Sequence, residues 1–86
     1  MDLSEIQIIP IKANNGLIGF ASLVLNGCIY LGSIGIHIKL DGSGYRLTYP
    51  TKKVGNTDLQ IFHPINRDIS QKIESAIIEK VQEIFN

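Results

Sequence analysis

The chain contains no tryptophan, a single methionine and a single cysteine. One cysteine cannot close a disulfide within the chain, and with only two histidines beside it no metal-ligand spacing arises. Cys28 flanks a turn signal and reads as a small strand residue. Neither sign of charge is in excess: Lys plus Arg number 8 and Asp plus Glu number 8. Net charge alone therefore argues neither for nor against a nucleic-acid partner. No basic segment leads into an apolar one at the N-terminus, so no secretory leader is expected. No internal repeat or low-complexity tract occurs. These absences together predict a soluble protein in a reducing, cytoplasmic setting, with no cofactor, no metal, no membrane association and no small-molecule substrate.

The most informative absence is local. From Leu17 to Ile38 there is no Asp, Glu, Lys or Arg. A hydropathy window would flag such a stretch as a membrane span. Its composition says otherwise, because Gly19, Gly27, Gly32 and Gly35 suit a helix poorly while Leu, Val, Ile, Phe and Tyr suit strands. Asn26-Gly27 lies between two apolar runs, and Asn-Gly tolerates the positive φ angles of a type I′ turn. The stretch is predicted to be a long β-hairpin. A two-residue turn would pair Leu25 with Cys28, Leu23 with Tyr30 and Gly19 with Ile34 on one face. On the other it would pair Val24 with Ile29 and Phe20 with Ser33. Neither face is polar, whereas a sheet with one wet face alternates apolar and polar residues. The hairpin should be covered on both sides. The chain offers one long helix as a cover, so the second cover is expected to be another copy of the protein. A chain of 86 residues is one domain, 1–86, that buries only about 60–65% of its unfolded surface, and dimerisation is a common remedy for so small a core.

Around the hairpin the elements are short. Ile6 to Ile11 reads as a first strand whose apolar phase slips between Ile8 and Ile9, implying a bulge or a strand buried on both faces. Pro10 places it at a sheet edge. Asp41-Gly-Ser-Gly44 is a loop, with no Lys-Ser/Thr or helix start to make it a phosphate cradle. Tyr45 to Tyr49 alternates, putting Tyr45, Leu47 and Tyr49 on one face and Arg46 with Thr48 on the other. Pro50 ends that strand, and Thr51-Lys52-Lys53 should project into a loop with Gly55-Asn56. Asp58 to Phe62 reads as a last strand, and His63-Pro64-Ile65-Asn66 as a corner. Asn66 or Asp68 can cap the helix that follows. In that helix Ile69, Ile73, Ala76, Ile77, Val81, Ile84 and Phe85 form one apolar stripe.

Charge is distributed unevenly. Between Lys39 and Lys72 lie Arg46, Lys52, Lys53 and Arg67, against only Asp41, Asp58 and Asp68, while the other acids lie near the two ends. The candidate nucleic-acid-binding residues are Lys52, Lys53, Arg46, Arg67 and Lys72. Paired cations in a glycine-containing loop can meet phosphates, or can simply solubilise the loop. His63 has no nucleophile or carboxylate placed beside it by sequence, so its expected role is to hydrogen-bond the corner before the helix. No catalytic residue is nominated.

The region from Gly44 to Ile73 resembles the SpoVG family, the bacterial stage V sporulation or septation regulators. The matching pieces are Tyr-Pro-Thr-Lys-Lys at 49–53, where the family carries an aliphatic or Met residue followed by Pro-Ser-Lys-Arg or similar. His63-Pro64-Ile65-Asn66 follows, then Lys72-Ile73 at a matching interval. Upstream, Ala21-Ser-Leu-Val-Leu25 and the Ile-x-Ile run after it match the family's second and third strands. The resemblance implies a small α+β domain: an antiparallel sheet built on the long hairpin, a C-terminal helix, and two subunits joined through the sheets. It implies a dimeric DNA- or RNA-binding regulator and no enzymatic activity. A dimeric protein-interaction module without significant nucleic-acid binding is the alternative.

Overall fold

The computed structural model describes residues 2–85 and has the expected α+β architecture. Six strands precede one helix: β1 (Leu3–Asn14), β2 (Leu17–Leu25), β3 (Ile29–Ile38), β4 (Tyr45–Thr48), β5 (Thr51–Val54), β6 (Thr57–Gln60) and α1 (Arg67–Phe85). The first four form an antiparallel sheet in chain order, β1-β2-β3-β4, and β5 with β6 forms a separate two-stranded ribbon. The apolar stretch lacking charge supplies the two central strands, and Pro10 lies on the edge strand β1, where its missing N–H costs no ladder bond.

Helix α1 lies across one face of the sheet and approaches both edge strands, β1 and β4. The core is the contact between them. Leu23, Ile34 and Ile36 from the sheet and Ile77 and Val81 from the helix are fully buried, with Ala21 and Ile73 nearly so. Each such aliphatic side chain contributes about 1.5–3 kcal/mol by leaving water. The helical stripe is narrower than its sequence implies, for Ile84 and Phe85 stay exposed at the last turn while Ile69 and Ala76 are half-buried. Asn66 is the residue that caps α1: the Ile69 N–H donates to Asn66 Oδ1 at 2.9 Å. Asp68 instead occupies the first turn, where its charge favours the helix dipole.

The central hairpin turns where expected but pairs differently. Asn26 and Gly27 both have positive φ, 53° and 65°, and the Cys28 N–H donates to the Leu25 carbonyl at 3.0 Å. The ladder, however, begins at Leu25 opposite Ile29 and leaves Cys28 unpaired, so Val24 meets Tyr30 and Leu23 meets Leu31. A second irregularity lies between Leu23 and Ala21, after which Ala21 meets Ile34. Ser33 there has φ 61°, a left-handed conformation that a bulge residue adopts. The two offsets together bring Leu23, Leu31, Ala21 and Ile34 to the helix side. In β1 the irregularities fall between Ser4 and Gln7 and between Pro10 and Asn14, and not at Ile8-Ile9. Ile8 is half-buried toward the core, and Ile9 is 63% exposed on the opposite face. Gly19 permits close passage of β1, since a Cβ there would stand 2.8 Å from the Ile9 carbonyl oxygen.

Candidate nucleic-acid interface

The five cations nominated from the sequence occupy three separate places. Lys52 and Lys53 lie in β5, not in a loop as expected. The turn is Gly55-Asn56 alone, which closes the ribbon between Val54 and Thr57 with Gly55 at φ 62°. Glycine at the first central position suits a type II′ turn. Successive strand residues point to opposite faces. Lys52 therefore stands across from Leu59 on one face, and Lys53 across from Asp58 on the other. Every strand residue of β5 and β6 is exposed. The ribbon is an arm: its strands pack on each other, and no other element makes a substantial packing contact with either.

Arg46 lies on β4 opposite His37, on the sheet face turned away from α1. Arg67 opens α1, and Lys72 lies one and a half turns further, beside Asp68 and Glu79 on the helix's exposed side. The sheet thus separates Arg46 from Lys72. Lys52 and Lys53 share the arm, Arg67 and Lys72 share the first half of the helix, and Arg46 stands apart.

Local electrostatics are modest. His37 Nε2 and Thr48 Oγ1 are 3.0 Å apart in a hydrogen bond. Burial, and secondarily the Arg46 guanidinium, hold the His37 pKa below its ordinary value. Asp41 accepts the Ser43 N–H at 2.9 Å, which closes its loop; the Ser43 side chain first, and that N–H second, hold the Asp41 pKa below its ordinary value. His63 Nδ1 donates to the Pro64 carbonyl at 3.1 Å, so the His63–Asn66 segment acts as a structural corner running into the Asn66 cap. Among the described residues no group of three or more His, Cys, Asp and Glu side chains could hold a metal ion. No helix among them is long and apolar enough to cross a membrane.

Apolar surface accompanies the charge, as the two apolar faces of the central hairpin imply. Ile9, Phe20, Gly35 and Thr48 form one row across the sheet face turned away from α1. Ile9 is 63% exposed, Phe20 36%, and Tyr30, on the same face nearer the hairpin tip, 71%. Val54, Leu59 and Ile61 are also exposed, and alternation puts them on the Lys52 face of the arm. At the arm's foot opens a cleft of about 250 Å³ lined by Leu25, Leu31, Tyr49, Phe62, Ile65 and Ile69, among others. The Tyr49 and Phe62 rings meet edge to face there, 6.0 Å apart. The sequence signal for the arm was the alternation of Lys52 with Val54, and of Thr57 with Leu59 and Ile61, about a Gly-Asn turn.

A meander sheet backed by one helix, with an exposed ribbon between the fourth strand and that helix, makes this a small α+β protein. The chain belongs to the SpoVG family, whose family model matches residues 1–83. It is 30% identical to the "Putative septation protein SpoVG" of Phytoplasma australiense over 88 aligned positions, covering 100% of this chain and 88% of that protein. It is 32% identical to the protein of the same name from Finegoldia magna (strain ATCC 29328 / DSM 20472 / WAL 2508) over 87 positions, covering 99% and 78% respectively.

Proposed function

We propose that the protein is a dimeric, nucleic-acid-binding regulator of the septation type that its relatives' names describe. The observation that carries the proposal is the arm, which holds Lys52 and Lys53 out from the body with their side chains exposed. Family membership supports the regulatory part of the reading, and the uncovered apolar sheet face supports the dimer. A sheet face bearing Ile9, Phe20 and Tyr30 is stabilised by a second copy, and such homodimers are usually two-fold symmetric. Two copies double the arms. Contact with phosphates is then sequence-tolerant, because few groups on the arms suit the reading of base edges.

The test is titration of labelled duplex and single strands at several salt concentrations. If the four arm lysines of a dimer meet phosphates wholly or in part, log K falls against log salt with a slope of about −2 to −3.5. The double variant Lys52→Ala/Lys53→Ala is expected to bind every sequence more weakly and with a shallower slope. Equal binding by the variant, or no binding by the wild type at low salt, rejects the proposal. One observation favours a second reading, a dimeric protein-interaction module: Lys52 shares its face with Val54 and Leu59, and Lys53 is opposed by Asp58. Retained dimerisation without salt-sensitive nucleic-acid binding would select it.

A further inference from the structure

The sheet face turned away from α1 carries one imidazole. Gly35 and His37 of β3 share that face, across from Thr48 and Arg46 of β4. The His37 ring leans back over Gly35. A Cβ at position 35 would stand 3.3 Å from His37 Nε2 and 3.5 Å from Leu17 Cδ1, and it would collide with Thr48 Oγ1. The missing side chain leaves room for the hydrogen bond between His37 Nε2 and Thr48 Oγ1, 3.0 Å long. Gly35 and Thr48 belong to the row that Ile9 and Phe20 complete. The ring therefore lies within the apolar row that the proposed dimer covers.

The charged groups beside the ring are cations. From β4, Arg46 is its cross-strand neighbour. From β2, Leu17 stands opposite, and that strand bears no charged residue. Along the chain of β3 the next ionisable group is Lys39, the first residue past the strand end. The acid of this end, Asp41, lies in the loop beyond, around a hollow with Lys39, Leu40 and Arg46. Burial first, and Arg46 second, already hold the His37 pKa below its ordinary value in a single chain. Covering the face with a second copy withdraws more water from the ring, and two-fold symmetry brings a second imidazole and a second Arg46 to the same interface.

We propose that His37 makes the dimer sensitive to acid: two copies associate through the sheet face while the imidazole is neutral, and its protonation releases them. The proposal rests on the dimer proposed above and names what regulates it. The sign follows from linkage. A single chain accepts the proton more readily than a covered one, so acid favours single chains. Association is at full strength above the single-chain pKa, itself below 6.5. It is lost as pH falls from there towards the value in the dimer. Nucleic-acid binding should follow the dimer, because separated chains no longer present both arms together. A gain of positive charge by itself would strengthen contact with phosphates. Loss of binding in acid therefore has the opposite sign to that ordinary effect.

Sedimentation equilibrium of the full chain across pH measures the dimer constant. The wild-type dimer is expected to weaken on the order of tenfold between roughly pH 7.5 and 5.5. In His37→Gln the constant should stay unchanged over that range, whatever its value at the upper end. His63→Gln, altered at the other of the two histidines, should weaken as the wild type does. A second measure needs no variant: the histidine ring protons of the wild type are titrated by NMR in a dilute and a concentrated sample. His37 should titrate at a lower pH in the concentrated, dimeric sample, and His63 at the same pH in both. If His37→Gln does not associate at all, this titration decides alone. Equal weakening in His37→Gln, a wild-type constant that does not change with pH, or a His37 titration independent of concentration overturns the switch while the dimer stands. A monomer at every pH and concentration overturns both.

Discussion

Two of the protein's tight hairpins have opposite fates. β2–β3 turns at Asn26-Gly27 and becomes the centre of the sheet, while β5–β6 turns at Gly55-Asn56 and stays wholly exposed. Turn chemistry is comparable in the two, so it specifies the reversal of the chain and nothing about burial. Neighbours decide burial. β2 and β3 are flanked by β1 and β4 and covered by α1, whereas Pro50 and the His63-Pro64 corner hold the second ribbon away from the body.

The largest expected effect breaks the comparison at its core. Leu23→Ala or Ile77→Ala removes a fully buried side chain and should cost about 2–5 kcal/mol of stability. Leu59→Ala on the arm should cost under roughly 0.5 kcal/mol in the monomeric state. Urea unfolding of the three variants at low protein concentration measures the difference. Similar losses at Leu59 and Leu23 would mean that the arm is buried in solution.

A middling effect is expected at the junction of the two regions. Asn66→Ala deletes the acceptor for the Ile69 N–H and should cost about 1 kcal/mol, whereas Asp68→Ala should cost less, since it loses only a favourable dipole contact. Thermal melts that rank the two in the reverse order would move the cap to Asp68.

The smallest effect concerns pH. His37 has a pKa below its ordinary 6.5 in the folded state, so the unfolded chain takes up its proton first as the solution is acidified. The stability that comes from a neutral His37 is fully present above that ordinary value and is lost as pH falls through the folded one. Urea midpoints between roughly pH 8 and 5 should drop slightly in the wild type, and less in His37→Gln. A drop of the same size in the variant would assign it to other groups.

How much of this was legible in the sequence differs by region. The central hairpin, the edge position of β1, the two faces of β4, the helical stripe as far as Val81, and a cap at either Asn66 or Asp68 follow from periodicity and turn chemistry. The ladder register does not. Its offsets arise where Cys28 drops out of pairing, where Ser33 adopts a left-handed conformation, for which a serine carries no signal, and again between Gly19 and Leu17. Nor was the arm legible as an arm, because strands of four residues offer only two positions per face. Two adjacent lysines read as one patch until a strand turns them back to back. As for the candidate interface, the sequence showed which residues are cationic but not that the sheet lies between Arg46 and Lys72.

The strand order β1-β2-β3-β4 follows the chain, and this bears on the route by which the protein folds. Every ladder joins segments adjacent in sequence, so the sheet can assemble by successive short-range closures, each with a small loss of loop entropy. The longest-range closure is the docking of α1 against β1, from the opposite end of the described chain. Local pairings precede distant ones when the entropy of closure is the obstacle. The expectation is a transition state with the β2–β3 turn formed and the helix still undocked. In a chevron experiment Ile77→Ala would then chiefly speed unfolding, while Leu23→Ala would also slow folding. Equal slowing of folding by both variants would place the helix in the nucleus instead.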